Sequence, residues 1–188
     1  MSIQTNSADY NQSCVAWFKL ADLVSRKEKE KALNLYRLLS HSFEDKAYAL
    51  QLEGDILWSL EDNLALEKYQ QAAILYKKEQ KIISAIAIYE HLSILEPSNY
   101  DFLSTLIFLY SQVDWESKFE EKLILFLDFF NKKLITQDNF IVELKKIIFQ
   151  GDKKISPFTN FSQEPKKWIL DSLKKILKDK YIFIEQII

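Results

Sequence analysis

Two histidines, His41 and His91, and one cysteine, Cys14, are the chain's whole supply of imidazole and thiol. A zinc centre needs a cluster of such ligands, and a zinc protease needs two histidines one helical turn apart around a glutamate; neither spacing occurs. A lone cysteine cannot form an internal disulfide. Phosphate and dinucleotide cradles need clustered glycines so that backbone can approach the ligand, yet Gly54 and Gly151 stand alone. These residues predict a protein that is not an enzyme and holds no metal or cofactor. His41 and His91 read as ordinary surface or groove side chains.

Charge narrows the partners. The formal net charge of −2 gives no field suited to nucleic acid. Residues 145–180 are locally different, with ten lysines against Asp152, Glu164, Asp171 and Asp179. That stretch reads as a solvated lysine-rich surface, with an acidic partner or an anionic membrane surface as the alternative. The first residues are polar and lack a basic-then-apolar leader pattern, and no apolar run reaches the ~20 residues of a spanning helix. A cytoplasmic, reducing setting is the expectation.

The elements that must position any site are helices. Two glycines and three prolines (Pro97, Pro157 and Pro165) are too few for a fold rich in tight turns, while Leu, Ile, Lys and Glu abound. The spacing predicts an all-α chain of about nine helices, over 10–25, 28–42, 45–60, 63–79, 82–95, 99–112, 115–133, 137–150 and 163–180. Asp62-Asn63 and Pro97-Ser98-Asn99 supply turn and N-cap chemistry, and Gly151 is placed as a helix stop. Residues 152–162 read as a loop. Ile169, Leu173, Ile176 and Leu177 form one apolar stripe on the last helix.

Repeats organise this pattern. Trp17, Leu20, Ala21 and Val24, followed by Ala32, Tyr36 and Leu39, are matched 33 residues later. The second set is Leu50, Glu53, Gly54 and Leu57, then Ala65, Tyr69 and Ala72. A third block runs from Tyr69, Ala72, Ala73 and Tyr76 to Ala85, Tyr89, Leu92 and Pro97. A degenerate fourth keeps Leu103, Leu106 and Tyr110. Small residues let paired helices approach and large ones fill the spaces between pairs, so such blocks must stack to bury their apolar faces.

In this order of bulky, small and Ala-x-x-x-aromatic positions, the chain resembles the tetratricopeptide (TPR) repeat superfamily; Trp17-x-x-Leu20-Ala21 is close to its W-x-x-L-G signature. The resemblance implies a right-handed superhelix of stacked antiparallel helices, a TPR-like α-solenoid. Residues 63–78 serve as the second helix of one block and the first of the next. That overlap resembles the zigzag helical sheets of SNAP adaptors. The implied organisation is a flexible N-terminus (1–9), TPR-like repeats (10–133), C-terminal helices capping the solenoid (134–180) and an apolar tail (181–188).

The family's usual binding surface is a concave groove of first helices. Carried over, those positions are Phe18, Asp22 and Arg26 in block one, and Tyr48, Gln51, Asp55 and Trp58 in block two. Asp22 and Asp55 read either as a pair of carboxylates for lysine or arginine on a peptide, or as a solvated face with Asp22 neutralised by Arg26 at i+4. One subclass grips acidic carboxyl termini through lysine and asparagine; Asp22, standing where the asparagine would be, repels such a ligand. The resemblance therefore implies an adaptor or scaffold for another protein's peptide or helix, basic and partly apolar. Alternatives are a type III-like secretion chaperone, from size, charge and repeat number, and a structural subunit of a larger assembly. The last helix reads as a cap in preference to a membrane-surface helix. The tail Tyr181–Ile188 is expected to dock in cis or in trans.

Overall fold

The computed structural model describes residues 7–148 and 166–177. All regular structure among them is helical. The helices are α1 (Ser7–Ser25), α2 (Lys29–Ser40), α3 (Lys46–Ser59), α4 (Leu64–Lys78), α5 (Ile82–Leu95), α6 (Tyr100–Gln112), α7 (Glu116–Asn131), α8 (Gln137–Ile148) and α9 (Lys167–Leu177). Most boundaries between α2 and α8 lie within two residues of those the sequence predicts, and α1 begins three residues earlier. The Gly151 stop, the loop at 152–162 and the apolar tail fall outside the described residues. No helix among the described residues is long and apolar enough to cross a membrane.

Local chemistry sets several helix starts. The Asp45 carboxylate accepts from Tyr48 N at 2.9 Å, capping α3, and the Asn99 side chain accepts from Asp101 N at 3.1 Å, capping α6. The Asp62 side chain accepts from Leu64 N at 3.0 Å.

Among the described residues, left-handed helix ends are formed without glycine. Lys27, Glu61, Gln80, Asp114 and Lys133 all have φ between 54° and 59°, the left-handed region. At Lys27 the amide donates to Val24 O at 3.0 Å and the next amide, of Glu28, to Leu23 O at 2.9 Å. This is the paired bonding of a Schellman turn, which satisfies the last helical carbonyls. The same pair recurs at Glu61, Gln80 and Lys133, and its longer bond recurs after Asp114. Lys27 and Glu61 are 34 residues apart, as are Gln80 and Asp114.

The chain forms two compact units, Met1–Leu75 and Tyr76–Ile188. The division falls inside α4, the helix that the repeat pattern assigns twice. In the first unit α1 packs on α2 and α2 on α3. Ala32, Ala47 and Ala65 are wholly buried, as close helix approach requires, and Leu20, Tyr36, Leu57 and Tyr69 fill the spaces among them. The turns are tied together: Lys27 Nζ donates to Ser59 O and to Glu61 Oε1, each at 2.8 Å, and Lys29 pairs with Asp62.

In the second unit α6 is the central element, touching α5, α7 and α8, and most of its side chains are buried. Phe140 of α8 stacks on Phe126 and Phe130 of α7, with ring centroids 5.1 and 4.5 Å apart. Helix α9 packs on α7 with Ile169, Leu173 and Leu177 of its stripe buried. Its polar ties are specific. Lys166 Nζ donates to Ser111 O (2.8 Å) and Asp114 Oδ1 (2.5 Å), and Trp168 Nε1 reaches the same carboxylate at 3.2 Å. Ser172 and Lys175 both donate to Glu120. Trp168 also meets Phe119 edge to face at 5.0 Å.

Candidate protein-binding groove

Helices repeat a face every three or four residues, so Trp17, Leu20, Ala21, Val24 and Ser25 form one stripe of α1. On α3 the same spacing aligns Leu52, Asp55, Ile56 and Ser59. These two stripes line an open groove of about 350 Å³. Leu20 and Ile56 are 4% and 6% exposed, so the floor is apolar and anchored in the core.

Among the described residues, Asp55 is the only charged one of that lining. Its Oδ1 accepts from the Tyr69 hydroxyl at 2.8 Å. Tyr69 reaches it across a close helix contact. A Cβ on Gly54 would stand 2.8 Å from Tyr69 Cδ1 and Cε1, so only glycine leaves room for the ring. Burial first, then the bond to Asp55 and the carboxylate's charge, push the Tyr69 phenol well above its ordinary pKa. It is therefore a proton donor throughout the physiological range. Tyr36, pushed to about 12 by burial and by the charges of Glu53 and Asp55, is likewise neutral and donates to Ala49 O.

The carried-over positions sit on the adjoining face. Phe18 is 77% exposed, and Asp22 pairs with Arg26 at 3.3 Å, while Arg26 also meets Glu28. Tyr48 is half-exposed with its ring against the edge of Phe43, which stacks on Trp17 at 5.8 Å. Gln51 is half-buried, and Trp58 is 52% exposed. Of these seven residues Asp55 alone lines the groove; Asp22 does not share that lining with it. On α1 the lining follows the apolar stripe visible in the sequence as Trp17, Leu20, Ala21 and Val24, whereas Leu52 and Ile56 of α3 lie outside the stripe of Leu50, Gly54 and Leu57 that the repeat pattern picks out. The family register places the face about one residue, or 100°, away from the lining.

Elsewhere, a cavity of about 80 Å³ between α6 and α8 is lined by Ser104, Glu143 and Lys146 among others. Its carboxylate is engaged internally, Ser104 Oγ donating to Glu143 at 2.9 Å and Lys146 pairing with the same group at 2.5 Å, and Lys77 also lines the cavity. Among the described residues no group of three or more His, Cys, Asp or Glu side chains is arranged to hold a metal ion. His41 is exposed after α2, and His91 is half-buried on α5. No protein-family model, curated protein or solved structure matches the chain.

Proposed function

We propose that this chain is a scaffold or adaptor of TPR-like helical repeats, stacked as a right-handed superhelix, which holds a peptide or helix of a partner protein between α1 and α3. The observation that carries the reading is the groove itself: an apolar floor, walls from two helices at equivalent places in successive blocks, and, among the described residues, a single carboxylate. Exposed Phe18, Tyr48 and Trp58 on the same helices supply the aromatic surface on which protein interfaces concentrate binding energy. The 34-residue recurrence of left-handed turns supports the repeat assignment independently of side-chain pattern. The lone cysteine is consistent with a reducing, cytoplasmic setting.

A second reading, a subunit held in a larger assembly, draws on α5, where Ile83 and Ile94 are 63% and 73% exposed on one face. The test is selection from a random peptide library, followed by titration of the recovered peptides against wild type, Ala21→Trp and Ile94→Ser. Ala21 is exposed within the groove, so tryptophan there fills it without disturbing the core. Loss of binding in Ala21→Trp alone supports the groove. Unchanged affinity for Ala21→Trp overturns it, and loss confined to Ile94→Ser transfers the interface to α5.

A further inference from the structure

The carboxylates of Asp22, Asp62, Asp114 and Asp128 are each paired with a lysine or arginine. Asp55 is held differently, by the neutral Tyr69 hydroxyl on Oδ1. A neutral donor fixes the orientation of a carboxylate without cancelling its charge. Tyr69 is 2% exposed and its ring is confined against Gly54, so the hydroxyl has little freedom to move and Asp55 is pre-set before any partner arrives. With Oδ1 occupied, Oδ2 is the oxygen left to accept from a ligand.

We propose that Asp55, oriented by Tyr69, is the specificity contact of the α1–α3 groove, and that the groove takes an apolar segment of a partner protein bearing one arginine or lysine. This inference rests on the groove reading above. Charge and surface are complementary to such a segment. The alkyl stem of a long basic side chain can lie on Leu52 and Ile56 while its head reaches Oδ2. An uncharged segment would cover Asp55 and leave its carboxylate desolvated and unmatched. An acidic one would be repelled. Tyr69 acts here as a positioning residue, since its hydroxyl touches Asp55 and not the partner.

The probe is the tightest peptide from the library selection whose binding Ala21→Trp abolishes, made again with each basic residue replaced in turn by norleucine. Both forms are titrated calorimetrically against wild type, Asp55→Asn and Tyr69→Phe, with folding checked by circular dichroism. The selected peptides should be enriched in arginine or lysine. One norleucine exchange should weaken binding to wild type about tenfold. In Asp55→Asn that preference should fall to within about twofold, with the norleucine form binding at least as well as it does to wild type. In Tyr69→Phe the preference should drop about threefold while the norleucine form keeps its affinity. A general loosening of the fold would instead weaken both forms equally, and that result overturns the positioning role. Selected peptides without basic enrichment, or a preference retained in Asp55→Asn, overturn the specificity contact while the groove stands. A selection yielding no peptide sensitive to Ala21→Trp removes the groove and the inference together.

Discussion

Gly54→Ala should change sign with its neighbour. Inside a helix, replacing glycine by alanine ordinarily stabilises by about 0.5–1 kcal/mol, because glycine has more backbone freedom to lose. At position 54 the new methyl would stand 2.8 Å from two ring carbons of Tyr69 and 3.2 Å from a third. Ordinary contact between such atoms lies near 3.5–4.0 Å, so ring or helix must shift by more than half an ångström. The ring is buried and its hydroxyl is engaged by Asp55, so it cannot swing aside as a surface side chain would. Overpacking of this kind costs about 1–3 kcal/mol, which leaves a net loss of about 1 kcal/mol after the helix-propensity gain. In a Tyr69→Leu background the obstruction is gone, and the same substitution should stabilise by about 0.5 kcal/mol. The coupling between the two sites is then about 1.5 kcal/mol, within the range usual for residues in contact. Urea denaturation of the four proteins, followed by far-ultraviolet circular dichroism, measures each term. A higher midpoint for Gly54→Ala in the otherwise wild-type chain would refute the close contact, and with it the route by which Tyr69 reaches Asp55.

Two further outcomes are expected. Gln80→Gly should stabilise by about 0.5–1 kcal/mol, relieving ~1–2 kcal/mol of left-handed strain against the entropy that glycine adds to the unfolded chain. Lys27→Gly should gain less, since it also removes the donor to Ser59 O and Glu61; thermal melts of both variants compare them. Glu120→Gln should destabilise the protein at neutral pH and lose that effect in acid. The bond from Lys175 holds the Glu120 carboxyl below its usual 4.5, so its contribution is present above that value and disappears as pH falls through the depressed folded value. Denaturation midpoints of wild type and variant, taken from pH 7 downward, should therefore converge below about 4.5, and a constant gap would refute the pairing.

The helical plan was legible because its signals are local. Scarce glycine and proline, the Asp62 and Asn99 caps, and alanine at fixed intervals all act within a turn or two of chain, and the described helices follow them closely. The turns were less legible. Lys27, Glu61, Gln80 and Lys133 are not residues that prefer the left-handed region, so nothing in their types announces it; Asp114 alone is of a type enriched there. They adopt it because the flanking helices dictate the turn and the Schellman bonds offset the strain. The groove face was obscured for a different reason. A helix surface turns through 100° per residue, so a family register off by one moves the lining from Trp17 and Ala21 to Phe18 and Asp22. Only the packing of Leu20 and Ile56 fixes which stripe looks inward. The Tyr69–Asp55 bond spans 14 residues and two helices, and it depends on a contact distance that no residue type encodes.

The recurring left-handed residue bears on how such a chain can change length. A segment cut from Lys27 to Glu61, or from Gln80 to Asp114, starts and finishes in the same backbone state and contains two whole helices. Duplicating or excising it would join like to like at both seams, with no turn to be invented and no glycine to be acquired. Gene duplication could therefore lengthen or shorten this chain in 34-residue steps at points where the backbone is already prepared for the join.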